Sequence, residues 1–171
     1  MKILHTADWH LGQTFYEYDR REEHFHFLEW LKQQIKQHEI DVLLIAGDVF
    51  DSPNPSAESQ RVYYRFLREV TSENPSLQIV IIAGNHDSAA RLEAPNPLLE
   101  DMNIIVRGTV RRNAEGDIDL QHFIVPLYTE GKVTAYCLAV PYLRQGDYPS
   151  AENYSKGVQQ LYEQLFNKVK E

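Results

Sequence analysis

The sequence predicts an α/β fold in which a mostly parallel sheet is flanked by helices. Short apolar runs alternate along the chain with longer segments whose apolar residues recur at helical spacing. Such alternation is typical of strands joined by helical crossovers. The 171 residues allow about one domain at roughly 150 residues each. A hydrophobic content of 43% is enough to form a packed core.

The first half of the chain supplies two strands and two helices. Lys2–Thr6 is a short apolar run and predicts a strand. Glu22–Gln37 carries apolar residues at helical spacing and predicts a helix. Val42–Ala46 is short and continuously apolar, as expected for a buried parallel strand. Ala57–Thr71 predicts a second helix, because its apolar residues share one face and a turn ending in Ser56 supplies an N-cap.

The second half begins with a third buried strand over Gln78–Ala83 and a short helix or turn over Ala89–Met102. Further strands are predicted at Asn103–Val106, Phe123–Leu127 and Thr134–Val140. A last helix with apolar spacing from Val158 to Val169 runs to the end of the chain. A strand is due next in such an alternation, so we expect the fold to be incomplete.

Charge, cysteine content and hydropathy exclude several classes of protein. Seventeen basic and 25 acidic residues give a net charge of −8, which argues against coating DNA by bulk basic charge. A nucleic-acid enzyme is still possible, because carboxylates can hold divalent cations that meet phosphate. The single cysteine, Cys137, excludes an intrachain disulfide and a four-cysteine zinc site. No apolar stretch approaches the roughly 18 residues of a membrane span, and no signal peptide is evident, so we expect a cytoplasmic protein without membrane contact.

Metal-ligand side chains stand where the first three strands end. The first strand is followed by Asp8 and His10, the second by Asp48, and the third by Asn85. In open α/β sheets, the carboxyl ends of parallel strands form the binding crevice. Asp8 and His10 are two residues apart, so on extended backbone both can chelate one ion. Asp48 can bridge two ions, and the mixed donor set suits manganese, iron, magnesium or zinc without choosing among them.

The residue after Asn85 is the predicted catalytic group. Two ions at this edge would clamp a phosphodiester, and His86 could then protonate the leaving oxygen or neutralise the transition state. Asp51, three residues after Asp48, could orient the His86 ring. Taken singly, each of these motifs is more often a turn or a surface pair. Their order, each at the end of an apolar run, favours a shared metal site over three unrelated loops.

The three motifs together resemble those of the calcineurin-like metallophosphoesterases. The matching residues are Asp8-x-His10, Gly47-Asp48-x-x-Asp51 and Gly84-Asn85-His86-Asp87. The finer resemblance is to the bacterial SbcD nuclease subunits, through residues 5–12, 46–51, 83–88 and 141–144. Protein phosphatases of this family usually continue the second motif with Arg-Gly and end the third in Glu. Here Ser52 and Pro53 follow Asp51, and the third motif ends in Asp87, which favours the nuclease branch.

The resemblance implies a metallophosphoesterase-like sheet core and a role for each matching residue. Asp8, His10 and Asp48 would hold one divalent cation, and Asp48 and Asn85 a second. His86 would be the catalytic histidine. The resemblance also implies a manganese-dependent 3′–5′ exonuclease and endonuclease that processes DNA double-strand breaks. Such nucleases work with an SbcC-type ATPase subunit and form homodimers through helices, for which the segments 57–71 and 89–102 are candidates.

Part of the family pattern has no match in this sequence. The later Gly-His and Gly-His-x-His motifs, the capping domain and the partner-binding helices are absent, and His122 is the only histidine after the third motif. His122 is expected on a strand rather than at the site. We therefore expect residues 1–171 to be the N-terminal portion of a nuclease domain. Its remaining metal ligands would lie beyond residue 171, and its activity would be impaired.

A loop after the first motif suggests contact with DNA. Tyr16 lies among aromatic residues beside Arg20 and Arg21, and such a combination can stack on an unpaired DNA end and contact phosphate. The alternative for this segment is a loop packed on its own helix. Two other functions also stay open for the chain: a phosphoesterase acting on a small nucleotide or phosphoprotein, and a non-catalytic dimerisation fragment.

Overall fold

A computed structural model describes residues 1–170 and contains eight strands and six α-helices within that range. The strands are β1 (Ile3–Thr6), β2 (Thr14–Phe15), β3 (Tyr18–Asp19), β4 (Val42–Ala46), β5 (Gln78–Ile82), β6 (Ile104–Arg107), β7 (Ile124–Thr129) and β8 (Lys132–Leu138). The helices are α1 (Arg21–His38), α2 (Ala57–Glu73), α3 (Ala89–Glu93), α4 (Asn96–Leu99), α5 (Leu120–Phe123) and α6 (Tyr154–Lys170), with a 3₁₀ turn at Glu100–Met102.

A four-stranded parallel sheet in the order β1-β4-β5-β6 forms the centre of the fold. Its inner strands are continuous apolar runs because both of their faces are buried. On one face, Leu43 and Ile79 pack against the apolar stripes of α1 and α2. On the other, Val42 and Val80 pack against residues of the β7–β8 hairpin. The predicted α/β fold with a helix-flanked parallel sheet is confirmed.

The end of the chain departs from the predicted alternation. β7 and β8 form a separate antiparallel pair, joined by a tight turn at Glu130 and Gly131, both in the left-handed region. The prediction of His122 on a strand is wrong: it lies in the one-turn helix α5, buried, with Nε2 3.7 Å from Glu93 Oε1. Burial of Leu161 and Leu165 in α6 against Phe123 anchors this part of the fold.

No helix within residues 1–170 has both the length and the apolar character that crossing a membrane requires. The helices instead bury one stripe each. In α2, for example, Ser56 caps the N-terminus by accepting a hydrogen bond from the Ser59 amide, and Phe66, Leu67 and Val70 face the sheet. This is the amphipathic pattern of a helix that covers a sheet.

We expect Tyr63→Phe to raise the free energy of unfolding by about 1 kcal/mol, because an unbonded buried hydroxyl destabilises a fold by about 1–3 kcal/mol. The Tyr63 side chain is fully buried against the Phe50 and Tyr64 rings, and its hydroxyl has no hydrogen-bond partner among the described residues. Urea denaturation followed by circular dichroism measures the change. Tyr64→Phe, which alters a partly buried neighbour, is the matched control. Destabilisation by Tyr63→Phe would contradict the assignment.

Candidate metal centre

The loops that follow β1 and β4 run side by side past the edge of the sheet. The Asp8 amide donates to the Gly47 carbonyl at 3.1 Å, and the His10 amide to the Asp48 carbonyl at 2.9 Å. These main-chain bonds continue the parallel pairing after both strands have ended. They bring Asp8, His10 and Asp48 to one place, as the sequence predicts.

The backbone at these three residues is left-handed. The φ angles are 55° at Asp8, 47° at His10 and 49° at Asp48, a conformation that costs a non-glycine residue roughly 1–2 kcal/mol. The prediction that Asp8 and His10 chelate from extended backbone is therefore wrong in its geometry. Their shared direction comes from two consecutive turns of the chain. Strain of this kind concentrates at functional sites, where the surrounding fold imposes it.

The ligand atoms of Asp8, His10 and Asp48 all lie within 4.8 Å of one another. His10 Nε2 is 3.9 Å from Asp8 Oδ1 and 3.9 Å from Asp48 Oδ2. Asp48 is buried, whereas the Asp8 side chain is 71% exposed, so the group opens to solvent on the Asp8 side. Two carboxylates and one imidazole at these separations form a suitable donor set for one divalent cation.

Asp51 orients the metal-ligand histidine. Its carboxylate Oδ1 lies 3.1 Å from His10 Nδ1. A carboxylate at this position holds the proton on Nδ1 and leaves the Nε2 lone pair directed toward Asp8 and Asp48, the usual arrangement behind a histidine that binds a metal. His10 thus fits the role of ligand.

His86 is held by the main chain of Asp51 rather than by its carboxylate. The His86 Nδ1 atom lies 3.0 Å from the Asp51 carbonyl oxygen, and since a carbonyl only accepts, Nδ1 carries the proton. The carboxylate itself is already engaged by His10, which explains the difference from the predicted contact. The hydrogen bond to the Asp51 carbonyl, together with the nearby carboxylates of Asp48, Asp51 and Asp87, raises the pKa of His86. Asp51, His10 and His86 form a second cluster of possible ligands.

Asn85 lies between two residues whose main-chain amides bond to carboxylates of the site. The Gly84 amide donates to Asp87 Oδ2, and the His86 amide donates to Asp48 Oδ1 at 2.9 Å. The Asn85 side chain is exposed at this same edge. The neighbouring His86 amide thus lies beside Asp48, and the role of Asn85 as a ligand stays a prediction.

Asp87 is a functional residue that sequence reasoning treated only as part of a motif. Its side chain is 1% exposed, and its carboxylate accepts three main-chain hydrogen bonds. The donors are the amides of Val49 (3.2 Å), Phe50 (3.0 Å) and Gly84 (2.9 Å). Asp87 thereby joins the loop after β4 to the loop after β5. The only sequence signal is its place directly after His86, and that does not reveal which way the side chain turns.

The predicted DNA-contacting residues lie on and beside a small hairpin. β2 and β3 are joined by Tyr16 and Glu17, which both have positive φ and form a tight two-residue turn. Tyr16 is 84% exposed. Arg20 bonds to Glu23 at 2.7 Å and to Gln13, while Arg21 pairs with Asp19. Tyr16 is thus free to meet a partner, whereas each arginine already has a carboxylate neighbour.

Trp9 packs into the core beneath the loop that carries Asp8 and His10. It is 4% exposed, and its ring meets those of Phe27 and Phe66 edge-on, with centroids 5.9 and 5.3 Å away. Its indole N–H donates to Thr6 Oγ1 at 3.0 Å. A rigid aromatic residue between Asp8 and His10 therefore anchors the strained turn to the core.

A larger groove lies elsewhere. It measures about 840 Å³ and lies between the parallel sheet and the β7–β8 hairpin, beside Gln78 and Tyr128. The Gln78 side chain bonds to both the amide and the carbonyl of Tyr128, so this groove is bordered by a structural bridge. None of the predicted site residues lines it. The groove thus lies apart from the candidate metal ligands.

Residues 1–124 match the family model of the calcineurin-like phosphoesterases. The chain belongs to this family. Membership implies binding of divalent metal, and the donors at Asp8, His10 and Asp48 agree with that requirement.

Individual relatives are nuclease subunits. The chain is 47% identical over 150 residues to the D subunit of the SbcCD nuclease of Rhodobacter capsulatus, covering 87% of this chain, and 33% identical over 159 residues to that of Escherichia coli K12, covering 93%. It spans 37% of the length of each of these curated relatives. Among solved structures, it is similar to a Pseudomonas putida nuclease MPE at 21% identity, over 61% of this chain and 46% of that one, with a TM-score of 0.40.

We expect Asp87→Asn to lower the free energy of unfolding by about 3 kcal/mol, because the amide nitrogen would face main-chain donors that now bond to a buried carboxylate. The loops carrying Asp48 and His86 should loosen together. Denaturant melts measure the loss. Asp147→Asn is the matched control, since that carboxylate accepts one main-chain bond at a more exposed position. Equal effects of the two substitutions would contradict the special role of Asp87.

Gly84→Ala should weaken binding of Mn²⁺ about tenfold or more, which corresponds to about 1.4 kcal/mol. A Cβ at Gly84 would overlap the Asp48 carboxylate and main-chain nitrogen, so Asp48 must move. Calorimetric titration with Mn²⁺ measures the effect. Gly116→Ala controls for the loss of a glycine, because a Cβ there meets nothing, although its φ of +90° brings some strain. Unchanged Mn²⁺ affinity in Gly84→Ala would refute the proposed packing of Gly84 on a metal ligand.

Proposed function

We propose that this chain carries the catalytic core of an SbcD-type nuclease subunit, a metal-dependent DNA 3′–5′ exonuclease and endonuclease. The observation that carries the proposal is the convergence of Asp8, His10 and Asp48, with ligand atoms within 4.8 Å, in a chain 47% identical to a curated nuclease subunit. The reaction would be hydrolysis of DNA phosphodiester bonds during the processing of double-strand breaks.

Two divalent cations, manganese by preference, are proposed at the sheet edge. Asp8, His10 and Asp48 would hold the first, and Asp48 with Asn85 the second. Bound there, such cations would draw charge from the phosphodiester and make water a better nucleophile. A donor set that mixes nitrogen and oxygen atoms supports divalent cations of this kind. The buried carboxylate of Asp48 has two oxygens and is suited to bind both cations.

The protein's own proton chemistry is assigned to His86. With Nδ1 bonded to the Asp51 carbonyl, Nε2 is the ring atom available to a substrate. The hydrogen bond to the Asp51 carbonyl is the largest cause that raises the pKa of His86, and it favours a proton on the ring. A protonated Nε2 could give its proton to the leaving oxygen or neutralise charge on the phosphate. Asp51 acts as a positioning residue for both histidines, through its carboxylate to His10 and its carbonyl to His86.

The donor count supports an incomplete site. Three protein ligands are assigned to the first ion and two to the second, whereas such cations take about four to six. We therefore propose that residues 1–171 form the N-terminal portion of the nuclease domain, with further ligands beyond residue 171. Weak metal binding and impaired hydrolysis by this chain alone follow from that assignment.

The proposed partners are DNA, an SbcC-type ATPase subunit and a second copy of the chain. Tyr16, Arg20 and Arg21 are the proposed DNA contacts. The segment 89–102 is a candidate dimer face, because its Leu98 side chain is 75% exposed. The names of the relatives describe a subunit of a complex, which supports the ATPase partner. Since DNA is the proposed substrate and the relatives are bacterial, we place the activity in the cytoplasm.

The function is tested by metal titration and hydrolysis together. We expect Asp48→Asn to weaken Mn²⁺ binding at least about tenfold. His86→Gln should retain Mn²⁺ binding while slowing cleavage of single-stranded DNA by roughly 10²–10⁴-fold, the usual contribution of a general acid. Calorimetry measures the first effect, and single-turnover cleavage with excess protein measures the second. Asp101→Asn, at an exposed site in the 3₁₀ turn, is the control for both.

The other outcomes decide between the alternatives. Cleavage of bis(p-nitrophenyl) phosphate without cleavage of DNA would indicate a phosphoesterase for small substrates. A wild-type chain that binds no Mn²⁺ would be a non-catalytic fragment. Two tight Mn²⁺ sites on the wild-type chain would refute the assignment of missing ligands beyond residue 171.

A further inference from the structure

A groove of about 500 Å³ opens beside the metal centre, and the proposed function leaves it unexplained. Asp8 and His10 belong to its lining, so a molecule that fills the groove also touches the proposed ligands. The lining also includes Gln13, Arg20, Glu23, His24 and Phe27. The groove is therefore a candidate for the part of the substrate next to the reacting phosphate.

Arg20 is a fixed cation in this lining. It stands at the N-cap position of α1, where Nε donates to Glu23 at 2.7 Å and one terminal nitrogen donates to Gln13. These two bonds use two of the five N–H donors of the guanidinium, which makes no other hydrogen bond within residues 1–170. Glu23 also lines the groove, and its 66% exposed side chain occupies only the Nε edge of the guanidinium. Three N–H donors of the pre-oriented guanidinium are left to bind an anion.

His24 is a second polar residue in the lining of this groove. The residue is 8% exposed and lines the groove, yet its ring has no hydrogen-bond partner among the described residues. Both ring nitrogens keep some solvent access, so a ligand in the groove can reach them. Burial, followed by the nearby Arg20 charge, lowers the pKa of His24. The neutral ring offers one N–H donor to a phosphate oxygen.

The rest of the groove is aromatic. Phe27 is partly buried and stacks on Trp30, with ring centroids 6.2 Å apart and planes 29° apart. Trp9 supports the same ring from the core side. An anion-binding group beside flat apolar surface matches the chemistry of a nucleotide, which carries a phosphate next to a sugar and a stacking base.

We propose that this groove, the Arg20 groove, binds the nucleotide adjacent to the scissile bond in a single nucleic-acid strand. Arg20 and His24 contact its phosphate, and its base or sugar lies along Phe27. The inference rests on the proposed function and narrows its substrate: a good substrate carries a further nucleotide, with its own phosphate, on the groove side of the cut bond. Arg21 is outside this groove, because it pairs with Asp19 and lines a separate, smaller pocket with Ser56.

The test compares two arginines in like settings. Arg20 pairs with Glu23 and Arg61 pairs with Glu58, each three residues away, and Arg61 lies on α2 outside the groove. Arg20→Gln and Arg61→Gln therefore remove the same charge and the same kind of ion pair. Binding of a fluorescein-labelled oligothymidylate in Mn²⁺ is followed by anisotropy at several salt concentrations. Arg20→Lys is added because it keeps the positive charge but lacks the planar set of guanidinium donors. Circular dichroism checks that each variant is folded.

We expect Arg20→Gln to weaken binding of the oligonucleotide about tenfold and to reduce the salt slope by about 0.7, the value for one phosphate contact on a single strand. Arg61→Gln should stay within about twofold of the wild type, and Arg20→Lys should fall between. Equal weakening by Arg20→Gln and Arg61→Gln would overturn the inference, since bulk charge would then explain the binding. So would a wild-type chain that binds no oligonucleotide.

Two further measurements separate this inference from the proposed function. Mn²⁺ titration of Arg20→Gln should match the wild type, because Arg20 is not a ligand. Hydrolysis of bis(p-nitrophenyl) phosphate, which has no second phosphate, should be unchanged in Arg61→Gln and should fall less in Arg20→Gln than cleavage of DNA does. If that small diester is affected as strongly as DNA, Arg20 contacts the scissile phosphate and the groove assignment is wrong. If the wild type binds no Mn²⁺, the proposed function fails, while the oligonucleotide comparison without metal still decides the groove.

Discussion

The candidate site depends on one buried carboxylate that holds two loops together. Asp87 lies almost wholly inside the protein, and a buried charge is costly unless it is well bonded. The amides of Val49, Phe50 and Gly84 meet this requirement, because they come from both loops and converge on its two oxygens. The positions of Asp48 and His86 are therefore coupled, and neither loop can move without breaking bonds to Asp87.

The strained backbone at the ligands follows from this coupling. Asp8, His10 and Asp48 hold left-handed conformations that each cost free energy, and no single contact of these side chains accounts for three such turns. The main-chain bonds between the loops after β1 and β4 impose the first two, while Gly84 leaves room for the third. Packing of Trp9 beneath the turn supports the arrangement from the core. The bonded loops thus direct the side chains of Asp8, His10 and Asp48 toward one point at the edge of the sheet.

Sequence reasoning reached the sheet and the ligand positions, because both depend on local signals. Val42–Ala46 matches the predicted strand in both bounds, since an apolar run between polar turns leaves little choice. It failed where the outcome depends on tertiary contacts. The choice of His10 over His86 as the partner of the Asp51 carboxylate, and the inward turn of Asp87, are set by residues about 40 positions away. The placement of His122 failed for a similar reason, because burial beside Glu93 competes with strand propensity.

The charge of the chain explains why the proposed anionic substrate would be recognised locally. With a net charge of −8 and carboxylates at 8, 48, 51 and 87, the protein has no long-range attraction for phosphate. Divalent cations reverse the sign of the potential only within the donor cluster. Beyond it, a fixed guanidinium such as Arg20 is needed to hold the next phosphate along a strand. In the proposed function, cations bound at the exposed Asp8 and the guanidinium of Arg20 in the adjoining groove would supply positive charge at neighbouring points along a polyanionic strand.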